Sequence, residues 1–178
     1  MDISSILQQI AKGNRQAFAP LVEQFQRPLF SYLGRMGFSP AQAEDLAQET
    51  FIRAWQHLGQ YDVRRAEFST WLFTIARRLA LNELERAGNR LETHWGEDPP
   101  DVASHDTTPL EHTEQHEQQR RLQAALKRLP PLERSLLALA YSQGLDMQAI
   151  ARIEGCSVGA VKVRLHRARE QLRQWLGA

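Results

Sequence analysis

Apolar side chains recur every three to four positions through most of residues 1–90 and again through 118–176, while the strict alternation of a half-buried strand is nearly absent. The pattern predicts helices throughout both stretches. The first, from Phe18 to Met36, carries an apolar stripe of Phe18, Leu21, Val22, Phe25, Leu29, Tyr32 and Leu33. Ser39-Pro40 opens a second helix, to about Leu58, because serine caps a helix N-terminus and proline suits its first position; Ala43, Leu46, Ala47, Thr50 and Ala54 form its core stripe. A loop, YDVRRAEFS, follows, and Ser69 is placed to cap a third helix that runs to about Ala87 and stops before Gly88. Phe68, Trp71, Leu72, Ile75 and Leu79 are its expected core, with Phe73 and Arg77 on an outward face.

Four further helices are predicted in the second half. They cover Glu114–Leu129, stopped by Pro130-Pro131; Leu132–Gln143, stopped by Gly144; Asp146–Glu154; and, after the break Gly155-Cys156-Ser157, Val158–Leu176. Between the two helical halves LETHWGEDPPDVASHDTTPLEHTEQ holds Pro99, Pro100 and Pro109 and no periodicity, the composition of a linker. The expected fold is all-α: two small helical domains, 1–90 and 118–178, joined by a flexible acidic linker over 91–117.

Charge sharpens this division. The net charge of +1 hides a segregation: residues 1–90 carry 11 Lys/Arg against 9 Asp/Glu, residues 91–119 no Lys/Arg against 8, and residues 120–178 carry 11 against 4. A basic module tethered through an acidic strap points to a polyanionic partner. The composition, 42% hydrophobic and 24% charged, is that of a soluble globular protein, and neither a membrane-length apolar run nor a secretory leader is visible, so a cytoplasmic location is expected. The single cysteine, Cys156, reads as a small buried apolar residue. His112 and His116 stand four apart without further ligands, so neither a metal nor a cofactor is expected. No Gly-rich phosphate loop or nucleophile motif is present in the sequence, which argues against an enzyme and against a small-molecule substrate.

The stretch MQAIARIEGCSVGAVKVRLHRAREQL has the form of a helix-turn-helix: two helices across a tight turn at Gly155. Ser157 caps the second, whose free N–H groups suit a phosphate. At 100° per residue Val161, Leu165, Ala168, Leu172 and Trp175 share a core stripe. Gly159, Lys162, Val163, His166, Arg167 and Arg173 face the other way, with Arg164 and Arg169 on the flanks within reach of phosphates. Residues 158–173 hold five Lys/Arg and one acid, which favours DNA over a merely solvated face. A stand-alone regulator that binds DNA through this motif would explain 120–178 but leave the first half without a role.

Two stretches taken together resemble a known family. DLAQETFIRAWQHL (Asp45–Leu58) with FSTWLFTIARRLALNELER (Phe68–Arg86) is similar to the second region of sigma-70 superfamily proteins, and LKRLPPLERSLLALAYSQGLDMQAIARIEGCSVGAVKVRLHRARE (Leu126–Glu170) to the fourth. Their order and close spacing resemble the extracytoplasmic-function (ECF) members, alternative sigma factors that lack a third domain. The resemblance implies an initiation subunit without catalysis that binds core RNA polymerase, through the clamp coiled coil of its largest subunit and the flap of the second-largest, and directs it to promoters. It assigns Asp45, Gln48, Glu49 and Phe51 to polymerase docking. It assigns Tyr61, Arg64, Arg65, Phe73, Arg77 and Arg78 to the single-stranded −10 element, where cations meet phosphates and aromatic rings stack on bases. Ser157, Gly159, Lys162, Val163, Arg164, His166, Arg167 and Arg169 fall to the −35 element. It further implies an anti-sigma partner, able to hold the chain near a membrane that the chain itself does not enter, and an acidic linker that mimics nucleic acid in the polymerase channel. Arg78 stands where the family often has Asn, Asn82 where it often has Asp, Thr74 and Ile75 where housekeeping members carry an aromatic wedge, and Val163 in place of a common Ser, a side chain suited to a thymine methyl.

Overall fold

The computed structural model describes residues 3–93, 114–142 and 145–177, and among them every regular element is helical. The order is α1 (Ile3–Ala11), a 3-10 turn (Arg15–Phe18), α2 (Ala19–Arg35), α3 (Pro40–Gln56), a 3-10 turn (Leu58–Gln60), α4 (Phe68–Thr93), α5 (Glu114–Arg128), α6 (Pro131–Ala140), α7 (Met147–Glu154) and α8 (Val158–Leu176).

In the first half α2 lays its stripe of Leu21, Phe25, Leu29, Tyr32 and Leu33 against α3 and α4. Pro28 sits inside α2, where it has no N–H to give the Gln24 carbonyl, yet the buried stripe runs past it unbroken. The start of α3 follows the sequence closely. Ser39 Oγ accepts from Gln42 N at 3.3 Å and Gln42 Oε1 accepts from Ser39 N at 3.0 Å, a complete capping box behind Pro40. Ala43, Ala47, Thr50 and Ala54 are buried, and the Thr50 hydroxyl is satisfied by the Leu46 carbonyl at 2.7 Å; Leu46 itself is only half-buried.

Helix α4 departs from expectation at both ends. It begins at Phe68, with the Glu67 carbonyl taking the Trp71 N–H, so Ser69 lies inside the first turn and is buried rather than capping. It continues through Gly88 to Thr93, because Gly88 keeps a right-handed helical backbone and a glycine ends a helix only where it turns left-handed. The backbone of α4 thus reaches into the stretch expected as linker. The acidic run 94–113 and the side chains of His112 and His116 lie outside the described residues.

In the second half α6 is the hub. Every residue from Arg134 to Leu139 is buried, between α8 and α7 on one side and the first half on the other. At the edge Arg128 stacks over the Trp175 ring at 4.4 Å, which leaves the indole half-buried. Cys156, expected to be buried, is only half-buried beside the α7–α8 turn.

The two halves are packed against each other: α6 meets α2 and α4, and α7 lies along α4. One apolar cluster contains Leu29, Leu33, Phe73 and Ala76 of the first half and Leu136, Leu139, Ile150 and Ile153 of the second. Polar contacts cross the same seam. The Arg134 guanidinium donates through Nη1 to the Met36 carbonyl (2.9 Å) and through Nη2 to those of Lys127 (2.7 Å) and Leu129 (2.9 Å). Its Nε is buried without a partner among the described residues, and burial lowers its pKa from the ordinary value. Gly37, at φ +94°, makes room for it: a Cβ there would stand 3.1 Å from Arg134 Nη1.

Candidate nucleic-acid and partner interfaces

The turn between α7 and α8 is built by three local devices. Asp146 Oδ1 caps α7 by accepting from Ala149 N at 2.7 Å. Gly155, at φ +66°, ends it, and the Cys156 N–H closes back on the Ala151 carbonyl at 3.0 Å. Ser157 Oγ then caps α8 by accepting from Ala160 N at 3.1 Å. With its entrance fixed, α8 sorts its faces as the periodicity predicts. Val161, Leu165 and Ala168 are buried, and Leu172 and Trp175 are half-buried. Ser157, Gly159, Lys162, Val163, His166, Arg167 and Arg169 are exposed, Val163 by 51%. A Cβ on Gly159 would touch only Ser157 Oγ, at 3.9 Å, so the approach to this end of α8 is open. The two flanking arginines differ. Arg169 lies over the Tyr141 ring at 5.8 Å, whereas Arg164 turns inward, 26% exposed, with Nη1 3.8 Å from Glu154 Oε2.

Along the loop before α4, Tyr61 anchors the chain. Its ring packs on Phe68 (5.6 Å) and Trp71 (5.2 Å), and its hydroxyl donates to the Ala66 carbonyl at 3.0 Å. Burial, then Glu67 and Asp62, push its phenol pKa up. Asp62 organises the cations that follow. Arg64 donates to it through Nε, Nη2 and the backbone N–H, each at 3.0 Å, and Arg65 lies 3.9 Å away. Those bonds hold the Asp62 carboxyl down at about 2. The two arginine side chains stay 86% and 88% exposed, so Arg64 and Arg65 present oriented charge to solvent. Sequence reasoning passed over Asp62; its signal was a carboxylate two and three residues before a pair of arginines.

The outward face expected for α4 is only partly there. Arg78 and Thr74 are exposed, but Phe73 is fully buried, edge-on to Tyr32 at 5.6 Å, and Arg77 is 19% exposed. The physical reason is that α4 meets two partners. One edge of its buried arc (Phe68, Leu72, Leu79) faces its own bundle, and Phe73, Ala76 and Ala80 widen the arc until its margin lies under the second half.

What Arg77 meets there was not foreseen. Its Nε and Nη2 donate to Oε1 and Oε2 of Glu154 at 2.9 and 3.1 Å. The Glu154 side chain is 0% exposed, and Ser135 Oγ also donates to its Oε1 at 2.9 Å. Ser135 has one proton and spends it on the carboxylate, so the contact between Tyr32 and Ser135 oxygens (3.0 Å) runs from the phenol to the serine. Burial pushes the Tyr32 phenol far above its ordinary pKa, which keeps that proton in place. A further crossing contact, Arg152 Nη1 to the Arg65 carbonyl at 3.2 Å, ties the loop to α7. A lone glutamate at the end of the first helix of a basic motif is the signal that could have marked this site.

On α3, Asp45 and Gln48 are exposed. Glu49 accepts from Arg53 Nε at 2.6 Å, one turn on, with both side chains nearly half exposed. Phe51 is half-buried and, with Gln48, lines an open groove of about 1090 Å³ between α2–α3 and α5–α6, where Phe30 and Tyr141 are exposed by 44% and 58%. Among the described residues no group of His, Cys, Asp and Glu is arranged to hold a metal ion.

Residues 21–90 match the model for sigma-70 region 2, and residues 119–172 that for sigma-70 region 4. The ECF RNA polymerase sigma factor SigW of Bacillus subtilis is 30% identical over 187 residues, which span 99% of this chain and 97% of SigW. The chain belongs to the ECF subfamily of the sigma-70 superfamily. The ECF RNA polymerase sigma factor RpoE of Cereibacter sphaeroides is 32% identical across 89% of this chain and 85% of its own length. Among solved structures, CnrH in complex with the cytosolic domain of CnrY is similar at a TM-score of 0.70, 26% identical, over 97% of this chain and 95% of CnrH. The sigma factor RpoE of Bartonella quintana, in complex with the anti-sigma factor NepR, shares the fold at a TM-score of 0.70 and 23% identity, over 92% of this chain and 98% of the other. In this sigma factor region 2 corresponds to α2–α4 and region 4 to α5–α8.

Proposed function

We propose that the chain is an alternative sigma subunit that binds core RNA polymerase, brings it to promoters by reading −10 and −35 elements, and promotes initiation, with no catalysis of its own. The observation that carries this reading is the pairing of both sigma regions in one chain, the second of them a helix-turn-helix with Lys162, Val163, His166 and Arg167 outward over a buried Val161, Leu165 and Ala168. Residues 118–178 take the −35 element. Residues 1–90 take polymerase through Asp45, Gln48, Glu49 and Phe51, and the −10 strand through Arg64, Arg65 and Arg78, joined by Arg77 once its bonds to Glu154 are released. Tyr61 supports that loop from beneath, and Phe73 acts from within the packing as a brace for α4.

Two structural relatives were solved with a second protein, CnrY and the anti-sigma factor NepR. By extension we assign this chain an anti-sigma partner that covers its polymerase-facing surfaces; the groove beside Gln48 and Phe51 supports this. No helix among the described residues is long and apolar enough to cross a membrane, in keeping with action on cytoplasmic polymerase and DNA.

The test is transcription in vitro from a genomic template library with core polymerase alone, the chain alone, and both. Discrete promoter-specific transcripts are expected only from the combination. Tight operator binding by the free chain, with polymerase unaffected, would replace this reading by that of a stand-alone regulator.

A further inference from the structure

The buried carboxylate of Glu154 has an unusual set of partners. Arg77 comes to it from α4 in the first half, Arg164 from α8 in the second, and Ser135 from α6. Both arginines are residues that the sigma reading gives to DNA. A planar anion gripped by a two-toothed guanidinium, a hydroxyl and a second nearby guanidinium is also the way proteins hold a phosphate. We propose that Glu154 is an internal stand-in for a promoter phosphate, which latches the two halves of the free chain together and keeps the Arg77 edge of α4 from nucleic acid until the halves separate. This rests on the function proposed above, and it adds a residue-level device that sets when that function is available.

The chemistry of the seam suits a contact that opens. Taking a carboxylate and a guanidinium out of water is costly, and their attraction does little more than offset that cost. Closure is therefore favoured by good geometry rather than by a large net gain. On opening, both charges recover their hydration. The other polar side chains that cross the seam behave alike: Tyr32 to Ser135, Arg134 to the Met36 carbonyl, and Arg152 to the Arg65 carbonyl are contacts that water can replace, whereas the apolar cluster beside them favours closure. Opening also exposes that apolar cluster, so a partner that holds the halves apart has an apolar face to cover. Removing one partner has the opposite effect: Glu154→Gln leaves the Arg77 guanidinium largely buried without its counter-ion, and Arg77→Ala leaves the buried carboxylate with only the more distant Arg164, so each remaining charge is better hydrated with the halves apart.

The latch predicts that Glu154→Gln and Arg77→Ala each open the free chain. In a Cys156→Ser background, nitroxide labels at Gln56→Cys on α3 and Gln174→Cys on α8, both exposed positions, report the distance between the halves by pulsed electron resonance. The unaltered chain should give one narrow distance distribution, which broadens and lengthens on adding core polymerase. Each latch variant should move at least about tenfold more of the population into the long-distance component without polymerase, the shift expected when a buried pair loses one member. Arg173→Ala, which breaks an exposed pair with Glu170 inside α8, should leave the distribution unchanged. Circular dichroism separates opening from unfolding. Unchanged distances in both latch variants at full helix content overturn the proposal. So does loss of helix content in both, which would make the contact part of a single fold. Neither readout uses a promoter, so the latch stands or falls separately from the transcription assay.

Discussion

Replacing Arg167 by alanine, with Arg164→Ala beside it, tests how α8 divides its labour. Arg167 is exposed on the face opposite Val161 and Leu165, which hold the helix in register against α6 and α7. On the proposed reading a guanidinium so placed pairs with a guanine through O6 and N7, and losing that contact would cost about 1–3 kcal/mol, or roughly five- to 150-fold, at one base position. Arg164 is different. It is 26% exposed and leans toward Glu154 at 3.8 Å, so on the proposed reading it serves a phosphate from the flank rather than a base edge. Its loss should weaken all promoters alike and lower the salt slope of log affinity by about 0.9 for its one contact. The assay is initiation with core polymerase on templates randomised across the −35 element, read by sequencing the transcripts at two or more salt concentrations. Arg167→Ala should flatten the preference at one position with little change in salt slope, and Arg164→Ala should do the reverse. If Arg167→Ala lowers every promoter equally while Arg164→Ala changes the preferred base, the faces of α8 are assigned the wrong way round.

Glu49→Lys should weaken binding to core polymerase, mainly through a slower, more salt-dependent association, while costing the fold only about 0.3–0.5 kcal/mol from the lost exposed pair with Arg53; affinities measured across ionic strengths decide, and an unchanged value moves the docking face off α3. Tyr32→Phe removes the proton that Ser135 accepts and should cost about 1 kcal/mol, seen as a melting temperature roughly 2–4 °C lower; no change would mean that the phenol is idle. Asp62 should titrate near 2, below the ordinary 3.8. A depressed carboxyl contributes stability that is present above the ordinary value and fades as pH falls toward 2. Carboxyl carbon NMR should therefore find Asp62 still ionised just below its ordinary value, and Arg64→Ala should return the midpoint toward 3.8.

Much of this architecture was legible in the sequence, because most helices bury one stripe and periodicity reports one stripe well. The capping box at Ser39, the Gly155 turn and the sorting of Val161, Leu165 and Ala168 from Lys162, Val163 and Arg167 follow from local rules. The failures cluster where a residue serves two neighbours. Phe73 lies inside, against the pattern, because the second half covers the edge of α4, and no local periodicity reports a cover that arrives from so far along the chain. Glu154 has the look of an ordinary solvated acid for the same reason: its partner Arg77 is 77 residues away in the chain. Ser69 and Gly88 failed differently, since both residue types suit helix ends without requiring one: Ser69 is buried in the first turn of α4, and Gly88 keeps helical backbone in an exposed stretch.

The alanines beneath α3 have a consequence for precision. Ala43, Ala47 and Ala54 have no side-chain rotamers, and Thr50 is pinned by its own hydroxyl to the Leu46 carbonyl. Along this stripe α3 therefore meets the larger side chains of α2 and α4 with its own backbone, its alanine methyls and a fixed threonine. A helix so seated has few soft degrees of freedom, and Asp45 and Gln48 ride on it as on a fixed stage. Enlarging one of those alanines to leucine would cost about 1–3 kcal/mol of stability, and would also displace the whole outward face of the helix as a rigid piece.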